Sequence, residues 1–199
     1  MVIHKPAQKI IESLLKDFFV VHTITSLANG LGLSRIGVWK IIKKLETEKL
    51  IQVQQIGKGK TSTFCIYLNW QSPLVEKNLA LILAEDALAQ QRWITNFREL
   101  EPHVEFLLIF GSILHSQKEA NDIDLLCVAK KNKFVVVYET INQIQKTQLK
   151  KIHALCFTND ELKHEIKKQN KAIIDGFKKG VILFGYENFI RFISEVSEQ

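Results

Sequence analysis

Two carboxylates one residue apart, Asp122 and Asp124, open the second apolar run of "FLLIFGSILHSQKEANDIDLLCV", residues 106 to 128. On a strand, positions i and i+2 project from the same face, a few ångströms apart. Carboxylates that close repel and raise each other's pKa, and a divalent cation removes the conflict. Hard oxygen ligands suit Mg²⁺, which takes one or two carboxylates and completes its shell with water and substrate phosphates. At the other end of the loop, Gly111 closes the first run where a side chain would block close approach. Ser112 follows it, offering a hydroxyl and a backbone N–H to a phosphate oxygen. The pattern therefore predicts phosphate binding at Gly111 and Ser112 and metal ligation at Asp122 and Asp124. The plain alternative is a loop that happens to begin Gly-Ser and end Asp-x-Asp, with both carboxylates solvated at a strand edge.

These residues need a sheet to hold them. HVEFLLIF and DIDLLCVA read as strands, FVVVYETINQIQKT as a helix, and KKIHALCF as a third strand. TNDELKHEIKKQNKAIIDGFKK reads as one helix or two, VILF as a short strand and YENFIRFISEV as a closing helix. The alternation predicts a small mixed-sheet domain over residues 101–199 in a chain of α+β class. Before it, residues 71–100 carry apolar positions from Leu74 to Phe97 at helical spacing, predicting one bent helix or two as a linker. Trp70-Gln71-Ser72-Pro73 ends the preceding strand pattern, with Pro73 suited to a helix's first turn.

Charge separates the first third from the rest. Residues 1 to 70 hold ten Lys/Arg against four Asp/Glu, whereas the remaining residues balance seventeen against seventeen. A compact basic segment points to nucleic acid. Its elements agree: a helix over 6–18, a short one capped by Thr23 and stopped by Gly30 and Gly32, and a third capped by Ser34. Val38, Ile42 and Leu45 form the inward stripe of that third helix. Two β-rich runs, about 50 to 56 and 61 to 68, then join through a turn at Gly57 to Lys60. Three helices and a basic hairpin resemble a winged helix-turn-helix domain, here residues 1–70. "LSRIGVWKIIKKLETEKLI" is similar to the helix-turn-helix of biotin-operon-type repressors. The resemblance implies double-stranded DNA as partner, with Arg35 and Lys40 near bases or phosphates and Lys43, Lys44, Lys58 and Lys60 on phosphates. Trp39 either packs under the wing or meets DNA.

The second half resembles the nucleotidyltransferase superfamily related to DNA polymerase beta. Its signature, a strand, Gly-Ser, about ten residues and Asp-x-Asp on the next strand, stands here as Gly111, Ser112, nine residues, Asp122, Ile123, Asp124. Within it, the minimal nucleotidyltransferases of bacteria and archaea are most alike, and "GVILFGYENFIRFI" is similar to their ending when fused to winged helices. The resemblance implies Mg²⁺-dependent transfer of a nucleoside monophosphate from a triphosphate, ATP foremost. Asp122 and Asp124 would then be the catalytic metal-holding residues, and Ser112 would grip phosphates. A protein acceptor such as a neighbouring helical toxin fits the antitoxin-like members. The chain departs from the pattern in showing Leu114, His115 and Ser116 after Gly-Ser. Where relatives supply a third carboxylate, KKIHALCF offers His153, expected to be structural. The rival reading is a transcriptional regulator whose degenerate domain senses nucleotide or dimerises, a homodimer being expected by analogy with two-fold operators.

With 46% apolar and 24% charged residues, the composition is that of an ordinary globular protein. No run of 18 apolar residues occurs, and the first residues interrupt their apolar pattern with Lys and Glu, so a cytoplasmic protein with no membrane contact is expected. Cys65, Cys127 and Cys156, odd in number and each in an apolar run, are expected as free thiols.

Overall fold

A computed structural model describes residues 5–58 and 62–197. The chain divides into two compact units, Met1–Ile82 and Leu83–Gln199, each with its own sheet. The division falls within α4, Pro73–Leu88, so the helical stretch 71–100 is shared between the units. No helix among the described residues is long and apolar enough to cross a membrane.

In the first unit, α1 (Lys5–Lys16) buries Ile10, Ile11, Leu14 and Leu15, the i, i+1, i+4, i+5 stripe of an amphipathic helix. Each such side chain contributes about 1.5–3 kcal/mol of burial. Thr23 then caps α2 (Ile24–Leu31) through a reciprocal capping box with Ser26, which satisfies two donors that the first turn would otherwise leave unpaired. The helix runs through Gly30 and stops at Gly32 alone. Ser34 accepts from the Gly37 amide at 3.0 Å and starts α3 (Arg35–Thr47), whose Val38, Ile42 and Leu45 are all buried. The hairpin of β2 (Ile51–Ile56) and β3 (Thr63–Leu68) runs in continuous antiparallel register from Ile51 opposite Leu68 to Ile56 opposite Thr63. A two-residue strand, β1 (His22–Thr23), pairs with the other edge of β3, giving the order β1-β3-β2. It is too short to leave a periodic trace in the sequence. Lys60, placed on the hairpin turn by the sequence, lies outside the described residues.

In the second unit, α5 (Gln91–Phe97) is followed by a 3-10 helix, Arg98–His103, containing Pro102. The first strand, β4, therefore starts only at Phe106 and runs to Phe110. Then come β5 (Asp122–Val128), α6 (Phe134–Gln145), β6 (Lys151–Phe157), α7 (Asn159–Lys167), α8 (Lys171–Lys179), β7 (Val181–Phe184) and α9 (Tyr186–Ser197). The long segment 158–179 is thus two helices, the first capped by a Thr158–Glu161 capping box.

The sheet order is β6-β5-β4-β7, with β5 and β6 parallel and the other pairs antiparallel. The two inner strands, β4 and β5, are covered on both faces, which is why FLLIF and LLCV are unbroken apolar runs. Leu107, Ile109, Ile123, Leu125 and Cys127 join Trp93, Phe97, Val137 and Ile141 in one core. On the opposite face, Phe106 meets Phe189 edge-on at 5.4 Å, and Phe177 stacks on Phe189 at 5.7 Å. Gly185, at φ +78°, turns the chain from β7 into α9 where a Cβ would collide with the Glu105 carbonyl. Asn188 donates to that same carbonyl at 2.9 Å.

Candidate metal and nucleotide site

Register positions the site. Phe110, the last residue of β4, sits opposite Asp124 on β5, so the turn that begins at Gly111 starts beside that carboxylate. Asp122 and Asp124 flank the buried Ile123, which anchors the strand to the core while both carboxylates reach the other face. Parallel pairing of β5 with β6 then sets His153 directly across from Asp124. Its Nδ1 lies 3.2 Å from Asp122 Oδ2 and 3.8 Å from Asp124 Oδ1. One potential ligand atom from each of the three residues falls within a sphere of contact in which all lie within 4.8 Å of one another. The imidazole expected to be structural is therefore part of the cluster.

Gly111 is held at φ +83° and ψ −164°, a conformation open essentially to glycine alone. A Cβ there would fall onto Asp124 Oδ2, nearer than real side chains approach. The missing side chain leaves that oxygen uncovered. Ser112, exposed, begins a single 3-10 turn whose carbonyl accepts from the His115 and Ser116 amides, each at 3.0 Å. The loop is fixed at both ends: Ile113 and Ala120 are buried, and Lys150 Nζ donates to the Ala120 carbonyl.

The carboxyl of Asp124 titrates above the usual aspartate value. Partial burial is the first cause, the Asp122 charge adds to it, and His153 works against both. A centre with two close carboxylates, a nitrogen donor and an open approach fits a divalent cation, whose charge offsets the repulsion that a proton otherwise relieves.

The basic residues of the first unit do not converge in this way. Arg35, Lys40, Lys43, Lys44 and Lys58 are all exposed. Lys43 Nζ lies 2.9 Å from Glu46 Oε2 and 4.7 Å from the Trp39 ring centroid, and Lys44 Nζ is 3.9 Å from Glu48 Oε1. Trp39 packs on Phe64 of β3 with centroids 5.6 Å apart. Together with Ile24, Ser34, Arg35 and Ile36, these two rings line an open hollow of about 750 Å³.

Residue type and spacing point to Gly111, Ser112, Asp122 and Asp124, and the fold adds His153 to them. Its signal was present: a polar residue in a strand adjacent to Asp-x-Asp, at the alternation that faces the same side. Spacing alone could not supply the parallel register that makes it opposite Asp124.

Residues 93–178 match the family described as polymerase beta, nucleotidyltransferase. That span holds β4, the Gly-Ser loop, β5 and β6, hence every member of the cluster, and supports a nucleotidyltransferase-type reading with a nucleoside triphosphate as substrate. Residues 180–193, with the strand, Gly-Tyr and helix ending, lie beyond it. No curated protein and no solved structure matches the chain.

Proposed function

We propose that the second unit binds a nucleoside triphosphate, ATP foremost, and transfers its nucleoside monophosphate to an acceptor hydroxyl, in the manner of a minimal nucleotidyltransferase. In that reaction the acceptor oxygen bonds to the α-phosphorus, the bond from that phosphorus to the bridging oxygen breaks, pyrophosphate leaves, and the hydroxyl proton is released to water. The observation that carries the reading is the fit of Gly111 against Asp124: a side-chain-free turn laid on a carboxylate, beside an exposed serine. Asp122 and Asp124 are the residues that hold the cation, with Mg²⁺ the expectation from two carboxylates alone. A divalent cation held there supplies charge neutralisation of the triphosphate. Ser112 offers its hydroxyl to the phosphates, and the pinned loop keeps it in place without reorganisation. Of the acceptors, a protein such as a neighbouring helical toxin is the one we favour.

For the first unit we propose a winged helix that binds double-stranded DNA as a homodimer on a two-fold operator, with α3 in the major groove. The excess of basic over acidic residues in the first 70 residues supports it. The whole protein would then regulate transcription of its own operon in the cytoplasm. A second reading, a regulator whose nucleotidyltransferase-type unit senses nucleotide without turnover, is favoured by one observation: the strand beside Asp-x-Asp carries His153 and no third carboxylate.

Calorimetric titration of ATP with and without Mg²⁺ or Mn²⁺, repeated on Asp122→Asn with Asp124→Asn, tests the site. Cation-dependent binding that the double variant loses is expected, followed by label transfer from α-labelled ATP. Absence of binding by any of the four triphosphates would overturn the enzyme reading, and binding without transfer to any acceptor would favour the regulator.

A further inference from the structure

We propose that His153 is the third ligand of the cation held by Asp122 and Asp124, and that the centre selects a divalent transition cation over Mg²⁺. The inference rests on the site assigned above and names the class of cation it takes.

Geometry argues for ligation. A cation with bonds of about 2.1 Å holds neighbouring ligand atoms roughly 3 Å apart. His153 Nδ1 and Asp122 Oδ2 already stand at 3.2 Å, and Asp124 Oδ1 lies 3.8 Å from the same nitrogen. The nitrogen faces both carboxylates at once, as a ligand sharing a cation with them must. Backbone register fixes it: His153 is the parallel partner of Asp124 itself, so the ligand set is built into two paired strands. Its side chain is 47% exposed, leaving the approach open.

Donor chemistry argues for selection. Mg²⁺ takes oxygen at near-ideal octahedral geometry and gains little from an imidazole, whereas imidazole suits the divalent transition metals, with affinity lowest at Mn²⁺ and rising through Co²⁺ and beyond. Two carboxylates and one imidazole on a single face leave the remaining positions for water and phosphate oxygens. A hydrogen-bonded His153 that only orients Asp122 is the competing account, and it predicts no difference between cations.

The full-length protein, stripped with EDTA and dialysed, would be titrated with Mn²⁺ by electron paramagnetic resonance, with Co²⁺ by visible absorption, and with Mg²⁺ as competitor. Mn²⁺ is expected to bind at least about tenfold more tightly than Mg²⁺. His153→Ala should lower Mn²⁺ and Co²⁺ affinity by about tenfold or more while leaving Mg²⁺ nearly unchanged. His153→Asp should narrow the preference by raising Mg²⁺ affinity, and far-ultraviolet circular dichroism of both variants reports their folding. Equal affinity for Mn²⁺ and Mg²⁺, or Mn²⁺ binding indifferent to both substitutions, would overturn the ligand role while leaving the carboxylate site standing. Cation binding that survives Asp122→Asn with Asp124→Asn would instead overturn the site on which the inference rests.

Discussion

The two units carry their charged residues in opposite ways. In the second, Asp122, Asp124 and His153 are fixed by strand register to a common point, and Gly111 is shaped to leave one oxygen bare. In the first, the basic side chains are spread along α3 and beyond it, and Lys43 and Lys44 already share their charge with Glu46 and Glu48. A site built on paired backbones is intolerant of substitution at single positions. A surface built on flexible lysines is tolerant of any one loss, because its electrostatic attraction is a sum over many contacts.

The largest effect should follow from Gly111→Ala. The new Cβ must displace Asp124, and the backbone at φ +83° is strained for any other residue, so urea unfolding should show a loss of about 1–3 kcal/mol. ATP binding should fall with it. A fully stable Gly111→Ala protein with wild-type ATP binding would break the contrast at its strongest point.

A middle-sized effect separates the lysines from one another. Lys40→Ala should lower the slope of log affinity for operator DNA against log salt by about one, the signature of a lost phosphate contact. Lys43→Ala should lower it by less, because Glu46 already draws on that charge. Glu46→Ala tests the same pairing from the other side and should strengthen DNA binding, with a stability change within about 0.5 kcal/mol, as for exposed ion pairs generally. Equal slopes for the two lysine variants would show that the pairing is broken on DNA.

The smallest effect concerns pH. Asp124 holds its proton more tightly in the folded state than the ordinary value of 3.8. Its ionised form therefore disfavours the fold: the penalty is absent below that value, grows as pH rises through the folded pKa, and is complete above it. In EDTA, Asp124→Asn should melt at a slightly higher temperature than the wild type at neutral pH, and the difference should vanish in acid. Melting curves that differ equally at all pH values would place the effect in packing and not in charge.

Much of the second unit was legible because its inner strands are buried on both faces. FLLIF and LLCV announce themselves as apolar runs, and the Gly-Ser and Asp-x-Asp pairs punctuate their ends. The start of β4 was not: His103 belongs to a 3-10 helix around Pro102, a turn that hydrophobic periodicity does not encode. Nor was the partner of Asp124, because strand order and direction are tertiary properties and His153 lies 29 positions later in the chain. In the first unit the caps at Thr23 and Ser34 were readable from residue type, while β1 exists only because β3 offers it an edge. The pairing of Lys43 with Glu46 and of Lys44 with Glu48 was visible as i, i+3 and i, i+4 spacing. Total charge conceals it.

The segment that resembles other proteins and the segment that folds are different lengths. The matched stretch ends at Lys178, within α8, yet β7 and α9 follow it and complete the domain. Without them, β4 presents an unpaired edge and Phe106 and Phe177 lose the rings of Phe189 and Phe192. A fragment cut to residues 93–178 would expose that edge and those rings together, and such a template recruits other chains. Similarity thus marks off the part of this domain that carries the Asp122, Asp124 and His153 cluster, while cooperativity claims a larger territory that includes the final strand and helix.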